Sequence, residues 1–138
     1  MSVNDVVVTE VITADSNTAI ADVAARMKSE NVGSVLVLDE SDLVGILTDR
    51  DVALSLADDP DATDRTAGDV MTEDPVTVAP DESVFELLER MDAAGVRRMP
   101  VVEDDSVEGI VALDDVLGLL AAEFEDAMDV VDRQSPAF

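Results

Sequence analysis

Apolar residues in this chain follow two rhythms, and each rhythm occurs twice. Ile20, Val23, Ala24 and Met27 recur at three- and four-residue spacing, as do Val84, Leu87, Leu88 and Met91, which gathers them on one face of an amphipathic helix. Asn17 and Asp81 precede these runs as candidate N-caps. Asn31 and Gly95 follow them, and both residue types tolerate the left-handed turn that ends a helix. Then come runs without polar alternation, Val35-Leu36-Val37-Leu38 and Val101-Val102, as in strands buried on both faces. They predict strands at Ser34–Asp39 with Leu43–Thr48 and at Met99–Glu103 with Val107–Ala112, joined by polar turns at Asp39–Asp42 and Asp104–Ser106. A second helix closes each unit: Asp49–Leu56 in the first, and a longer one through Leu117, Leu120 and Phe124 in the second. Extended segments at Val6–Thr13 and Val70–Val78 lead into the two units, Asp58–Gly68 joins them, and Arg133–Phe138 reads as a frayed tail.

The order β-α-β-β-α is thus written twice, and the copies align without a gap: Thr13 with Thr77, Arg26 with Arg90, Val37 with Val101, Gly45-Ile46 with Gly109-Ile110 and Asp51-Val52 with Asp115-Val116. Each copy carries an apolar face it cannot bury alone. The expected fold is therefore α+β, two tandem repeats packed about a pseudo-twofold axis through their sheets. The expected boundaries are 1–62 for the first repeat with its leading strand, 63–129 for the second, and 130–138 for the tail. Clefts between equivalent surfaces are where small ligands tend to sit.

Charge narrows the partners. The chain has 33 acidic and 8 basic residues, a net charge of −25, yet 47% hydrophobic residues, which argues against disorder. The acids are dispersed (Asp22, Asp42, Asp59, Asp104 and Asp126 among them) rather than gathered in a tail. That reads either as a whole-surface adaptation to a salt-rich cytoplasm, where ions screen self-repulsion, or as an ordinary acidic protein. Nucleic acid is a poor partner in either case, because phosphate binding needs clustered cations. There is no Cys, His, Trp or Tyr, so thiolate, zinc-thiolate and imidazole chemistry are excluded. An enzyme built on paired carboxylates such as Asp49 and Asp51 would lack a nucleophile, and the expectation is a non-catalytic protein. No apolar run is long enough for a membrane span and the start of the chain lacks a signal segment, so the expectation is a soluble, cytoplasmic protein of a halophilic organism.

Two segments carry candidate chemistry. In Gly45-Ile46-Leu47-Thr48-Asp49-Arg50-Asp51, a Thr leaving a strand with an acid three residues on is a capping-box pattern. The same geometry can bind a ligand: the glycine admits a molecule to the strand, and an aspartate accepts two hydrogen bonds from vicinal hydroxyls. The second copy keeps Asp115 but has Ala112 where Thr48 stands, which hints at a role for the acid besides capping. Arg97 and Arg98 stand where the first copy has Gly33 and Ser34. They read either as a phosphate clamp or as partners of surface acids. Asp58-Asp59 and Asp104-Asp105 read as solvated charge, with weak Mg²⁺ binding the alternative.

These motifs, with Asp69-Val70-Met71-Thr72, Pro75-Val76-Thr77-Val78 and Arg98-Met99-Pro100-Val101-Val102, resemble a pair of CBS domains, the small repeats first noticed in cystathionine β-synthase. The resemblance covers Asp5 to about Leu120. It implies a regulatory disc-like module that binds AMP, ADP, ATP or S-adenosylmethionine between repeats, forms a homodimer and acts on a separate protein, with no resident cofactor and with Mg only alongside ATP. Carried over, it implies Asp51 on the ribose hydroxyls, Thr48 at the ribose–phosphate region, Val32 and Gly33 with Glu10 and Asp15 lining the adenine pocket, and Arg97 and Arg98 on the phosphates. The mirror-related site would use Asp115, Asp74, Ala79 and Val96, and Ala112 makes it weaker or empty. The charge of −25 makes AMP or S-adenosylmethionine the more comfortable ligand. A ligand-free interaction module is the alternative.

Overall fold

The structure, a computed structural model, describes residues 1–134. Its first repeat contains β1 (Thr13–Ala14), α1 (Ile20–Glu30), β2 (Ser34–Asp39), β3 (Asp42–Thr48) and α2 (Asp49–Asp58). A short α3 (Ala67–Val70) and β4 (Thr72–Glu73) lead into α4 (Val84–Ala94), β5 (Arg98–Glu103), β6 (Ser106–Ala112) and α5 (Leu113–Gln134) of the second. The expected α+β fold, with the element pattern repeated, is present. α5 continues to Gln134, so the segment read as a tail is helical as far as that residue; residues 135–138 lie outside the described residues.

The repeat holds at the level of register. Thr13 and Ala14 pair in parallel with Leu36 and Val37, and Val78 pairs in parallel with Val101, the equivalent of Ala14 with Val37. Both hairpins carry the same irregularity, between Val37 and Leu38 and between Val101 and Val102. α1 and α4 end on Asn31 and Gly95, at φ 54° and 67°, as anticipated for left-handed caps.

The N-caps differ from expectation. α1 starts after Ala19, not Asn17, because the Asp15 carboxylate accepts from the Asn17 N–H and Thr18 hydroxyl and closes a turn upstream. α4 starts after Ser83, not Asp81. Ser83 accepts from the Glu86 N–H and Glu86 accepts from the Ser83 N–H, a reciprocal pair that Asp81 cannot make.

The segments that lead into the repeats are exchanged. Val3 and Val6 precede the first repeat but lie in the core of the second, with Val78, Leu87, Met91, Met99 and Val111. Ala67, Val70 and Met71 precede the second repeat but pack on the core of the first, with Ile20, Val23, Val35, Val37 and Leu47. Backbone pairing follows suit. β4 adds to the edge of β3 through Gly45 with Glu73 and Ile46 with Thr72. Val8 pairs with Ile110, the symmetry equivalent of the second of these. Each exchanged segment also feeds the start of the other repeat's helix: the Ile20 N–H donates to the Arg65 carbonyl at 2.9 Å and the Val84 N–H to that of Met1 at 3.2 Å.

Because side chains alternate along a strand, Leu36 and Ile46 lie on the sheet face opposite Val35, Val37 and Leu47. Both are buried. Leu36 shares a small cavity with Ile110, and Ile46 a larger one with Val96 and Arg98, so this face meets the other repeat. The candidate sites lie along that junction.

Candidate functional site

The larger cavity, about 680 Å³, is lined from the first repeat by Ile46, Thr48, Arg50 and Asp51, and from the second by Thr72, Asp74, Pro75, Val76, Val96, Arg97 and Arg98 among others. Strand β3 carries Ile46 and Thr48 to its floor, and the first turn of α2 supplies Arg50 and Asp51. Thr48 and Asp51 form the capping box: the Asp51 N–H donates to Thr48 Oγ1 at 3.1 Å, and the Thr48 N–H donates to Asp51 Oδ2 at 3.0 Å. This uses one carboxylate oxygen of a half-buried residue. Oδ1 takes no hydrogen bond among the described residues, so capping and ligand binding are compatible.

The glycine of the motif serves another end. A Cβ on Gly45 would run into the Met71 thioether sulfur, Met71 Cγ at 2.8 Å and the Thr72 carbonyl at 2.9 Å. On Gly109 it would run into the Val8 carbonyl, with Val7 Cγ2 at 2.7 Å. What approaches these strands closely is the exchanged segment of the chain itself, not a ligand. Gly33 differs: its Cβ would meet Arg98 Nη2 at 2.7 Å and lie 3.4 Å from Asp49 Oδ2, so Arg98 crosses from one repeat onto the other.

The grouping of residues into two sites is also redrawn. Thr48, Asp51, Arg97 and Arg98 share their cavity with Asp74 and Val96, which were expected in the mirror-related site. Glu10 and Val32, expected beside Asp51, line a cavity of only about 90 Å³ with Val8, Ser34, Leu36 and Ile110. Exchange of the lead-in segments is the cause. β4 pairs with β3, Thr72 opposite Ile46 and Glu73 opposite Gly45, and the Asp74 N–H donates to the Val44 carbonyl, so Asp74, held at φ 46°, enters the cavity from the Val44 side of the strand. Asp15 is absorbed by its turn. Ala79 donates its N–H to Glu82 and borders neither cavity. Gly33 lies against Arg98 at the junction. Asp115 is exposed on the first turn of α5 and lines neither cavity.

Arg97 and Arg98 differ in state. Arg97 Nη2 pairs with Asp114 at 3.0 Å, both side chains about three-quarters exposed. Arg98 is half-buried against Gly33, and its side chain makes no hydrogen bond or ion pair among the described residues. Arg50, which the sequence pattern alone does not single out, lines the same cavity, and its guanidinium likewise makes no hydrogen bond or ion pair among the described residues. Its position beside Asp51 on a capped helix start was the signal available. Among the described residues no group of three or more acidic side chains is placed to hold a metal ion, and no helix is long and apolar enough to cross a membrane.

The family model for the CBS domain matches twice, over residues 3–58 and 67–122. The chain belongs to the CBS domain family. The CBS domain-containing protein YhcV of Bacillus subtilis is 35% identical over 115 residues, 83% of this chain and 82% of that protein. The inosine-5'-monophosphate dehydrogenase of Methanocaldococcus jannaschii is 35% identical over 116 residues, 83% of this chain but 22% of that enzyme. Among solved structures, the CBS domain pair of protein MJ0100, in complex with 5'-methylthioadenosine and S-adenosyl-L-methionine, superposes with a TM-score of 0.82 at 31% identity, covering 89% of this chain and 98% of that one. The exchange of segments and the cleft in this chain thus lie between two CBS domains.

Proposed function

We propose that this CBS pair is a non-catalytic sensor that binds one adenosyl ligand in the cleft of Thr48, Asp51, Val96, Arg97 and Arg98 and passes its occupancy to another protein. The observation that carries the reading is the cleft itself. At about 680 Å³ it lies in the size range of small-molecule sites, and it combines apolar walls with one available carboxylate oxygen and unpartnered guanidinium groups from both repeats. Asp51 Oδ1 would accept from the ribose hydroxyls, the Thr48 end would border the ribose–phosphate junction, and Pro75, Val76 and Val96 would contact the base. The complex of the MJ0100 pair supports the ligand class. A ligand that bridges the repeats stabilises their relative orientation by RT ln(1 + [L]/Kd), about 2.7 kcal/mol at a hundredfold excess over Kd.

The counterpart cleft would stay empty: about 90 Å³ is below the range of ligand pockets. Exposed Leu117, Phe124 and Met128 on α5 fit a homodimer contact. The dispersed acid fits a saline cytoplasm, where added KCl should raise the melting temperature steadily. Residues Ala112 and Gly33, with the smallness of the second cleft, favour the alternative of a ligand-free interaction module.

The discriminating experiment is an absorbance spectrum of purified protein, denatured and filtered. The chain has no Trp or Tyr and three Phe, so it is nearly transparent near 260 nm. A filterable 260 nm absorbance, or a melting temperature raised by AMP, ATP or S-adenosylmethionine, supports the sensor. No absorbance and no shift with any of the three at any salt concentration leaves the interaction module.

A further inference from the structure

Helix α5 outlasts the domain it closes. The second CBS match ends at residue 122, whereas the helix runs on to Gln134. Val116 is fully buried and Leu113, Leu119 and Leu120 pack on the second core, but every residue from Ala121 to Gln134 is exposed. A helical stretch of about 21 Å is therefore open to contact. We propose that this extension is a docking surface for another protein, and that its occupant is an amphipathic helix whose apolar face is flanked by Lys and Arg. The inference rests on the reading of the pair as a module that acts on a separate protein; it does not depend on what fills the cleft.

The first argument is an apolar stripe. Leu117, Leu120, Phe124 and Met128 follow one another at three- and four-residue spacing, so one face of α5 stays apolar past the end of the core. Leu117 is 53%, Phe124 68% and Met128 42% exposed. Phe and Met are residue types that interfaces favour over the rest of a surface. A helix of this length draws most of its stability from covering its apolar face, so the extension calls for something to cover it.

The second argument is charge, and it chooses the occupant. Residues 123–134 hold five acids and one base, about twice the negative charge density of the whole chain. Viewed down the helix, Glu125 and Asp132 border the stripe on one side and Glu123 on the other. Asp129 and Asp132 also sit in the last two turns, near carbonyl groups that already carry partial negative charge, where acid destabilises a helix. A second copy would cover the stripe but bring like charges to both edges of the contact, so a homodimer is better served where α5 lies on the body, at Leu117. Lys and Arg beside a partner's apolar face instead oppose the flanking acids and the helix end together.

The test is a titration of the whole chain with synthetic helical peptides, without nucleotide, at about 0.15 M KCl. One peptide carries Leu along one face and Lys on both edges of it. A second has Glu in place of Lys, and a third is the first scrambled, which keeps its charge and removes its apolar face. The titrations are repeated on Phe124→Ala, Met128→Ala and, as a control, Phe85→Ala, a similarly exposed ring on α4. The expected result is that the Lys-flanked peptide binds at least about tenfold tighter than the other two. Phe124→Ala and Met128→Ala should each weaken it, the former about tenfold, and Phe85→Ala should leave it unchanged. Equal binding of the scrambled peptide would mean general charge attraction, and equal binding of the Glu-flanked peptide would remove the charge argument. Binding untouched by both α5 substitutions would place the contact elsewhere. A dimer that sedimentation shows to dissociate on Phe124→Ala would give the stripe to a second copy. Any of these results, or no binding, overturns the proposal and leaves the reading of the cleft as it stands.

Discussion

Substituting Gly109 by Ala tests the exchange of lead-in segments in its most exposed detail. Gly109 has an ordinary, non-left-handed φ. On conformational grounds alone, Gly→Ala at a compatible position stabilises by about 0.4–1 kcal/mol. The structure predicts the opposite sign, because the new Cβ would meet the Val8 carbonyl and Val7 Cγ2. Backbone on one side and a β-branched residue on the other leave little room to yield. Moving Val8 away breaks its reciprocal hydrogen bonds with Ile110, at 2.9 and 3.0 Å, each contributing about 0.5–1.5 kcal/mol. If the displacement reaches Val6, now 8% exposed in the second repeat's core, part of the roughly 1.5 kcal/mol from burying a Val side chain is lost as well. A loss of about 2–4 kcal/mol follows, large beside the roughly 5–15 kcal/mol of a typical domain. Urea unfolding followed by far-ultraviolet circular dichroism, at constant salt, measures it. An unchanged or raised midpoint with an unchanged slope would refute the claim that the glycine exists to admit the chain's own N-terminal segment.

Further outcomes follow from the caps and the carboxylates. Ser83→Ala removes the α4 cap and should cost about 1 kcal/mol, whereas Ala19→Ser should install the missing cap on α1, with Asp22 at the third helical position, and gain about 0.5–1 kcal/mol; no loss from Ser83→Ala, or a loss from Ala19→Ser, in paired urea titrations would contradict the capping assignment. Asp39 is held below the ordinary carboxylate value of 3.8 by hydrogen bonds first from the Ser16 hydroxyl and then from its N–H, and Asp69 likewise by the Thr66 N–H and hydroxyl. A depressed folded value means that stabilisation is complete above pH 3.8 and is lost as pH falls through the depressed value. Ser16→Ala should therefore destabilise above pH 3.8, with the difference shrinking below it; a difference that persists or grows in acid would show that Asp39 is not the linked group.

What the sequence made legible is what local chemistry decides. Strand limits, left-handed caps at Asn31 and Gly95 and the Thr48–Asp51 box each depend on a few adjacent residues. The α4 cap is legible too, at Ser83 rather than Asp81, since only Ser83 has Glu three residues on to return the hydrogen bond. Segment exchange was not legible, because Val3 and Val6 would be apolar and buried whichever repeat received them. The redrawn site follows from that single unknown, which brings Asp74 into the cavity that Thr48 lines and leaves Glu10 with the small one. Arg50 is not legible because a lone cation between two aspartates reads as surface charge until the fold sets it in one cavity with Arg97 and Arg98.

Asp51→Asn, titrated with ATP and AMP beside the parent chain, tests the central claim most directly. The asparagine carbonyl can still accept from the Thr48 N–H and preserve the cap, while its amide nitrogen replaces the acceptor proposed to face the ribose hydroxyls. The expected result is affinity reduced by about tenfold or more, roughly the 1.4 kcal/mol of a charge-assisted hydrogen bond, with the urea midpoint nearly unchanged. Unaltered affinity at unaltered stability would mean that the nucleotide, wherever it binds, does not lie in the Asp51 cleft.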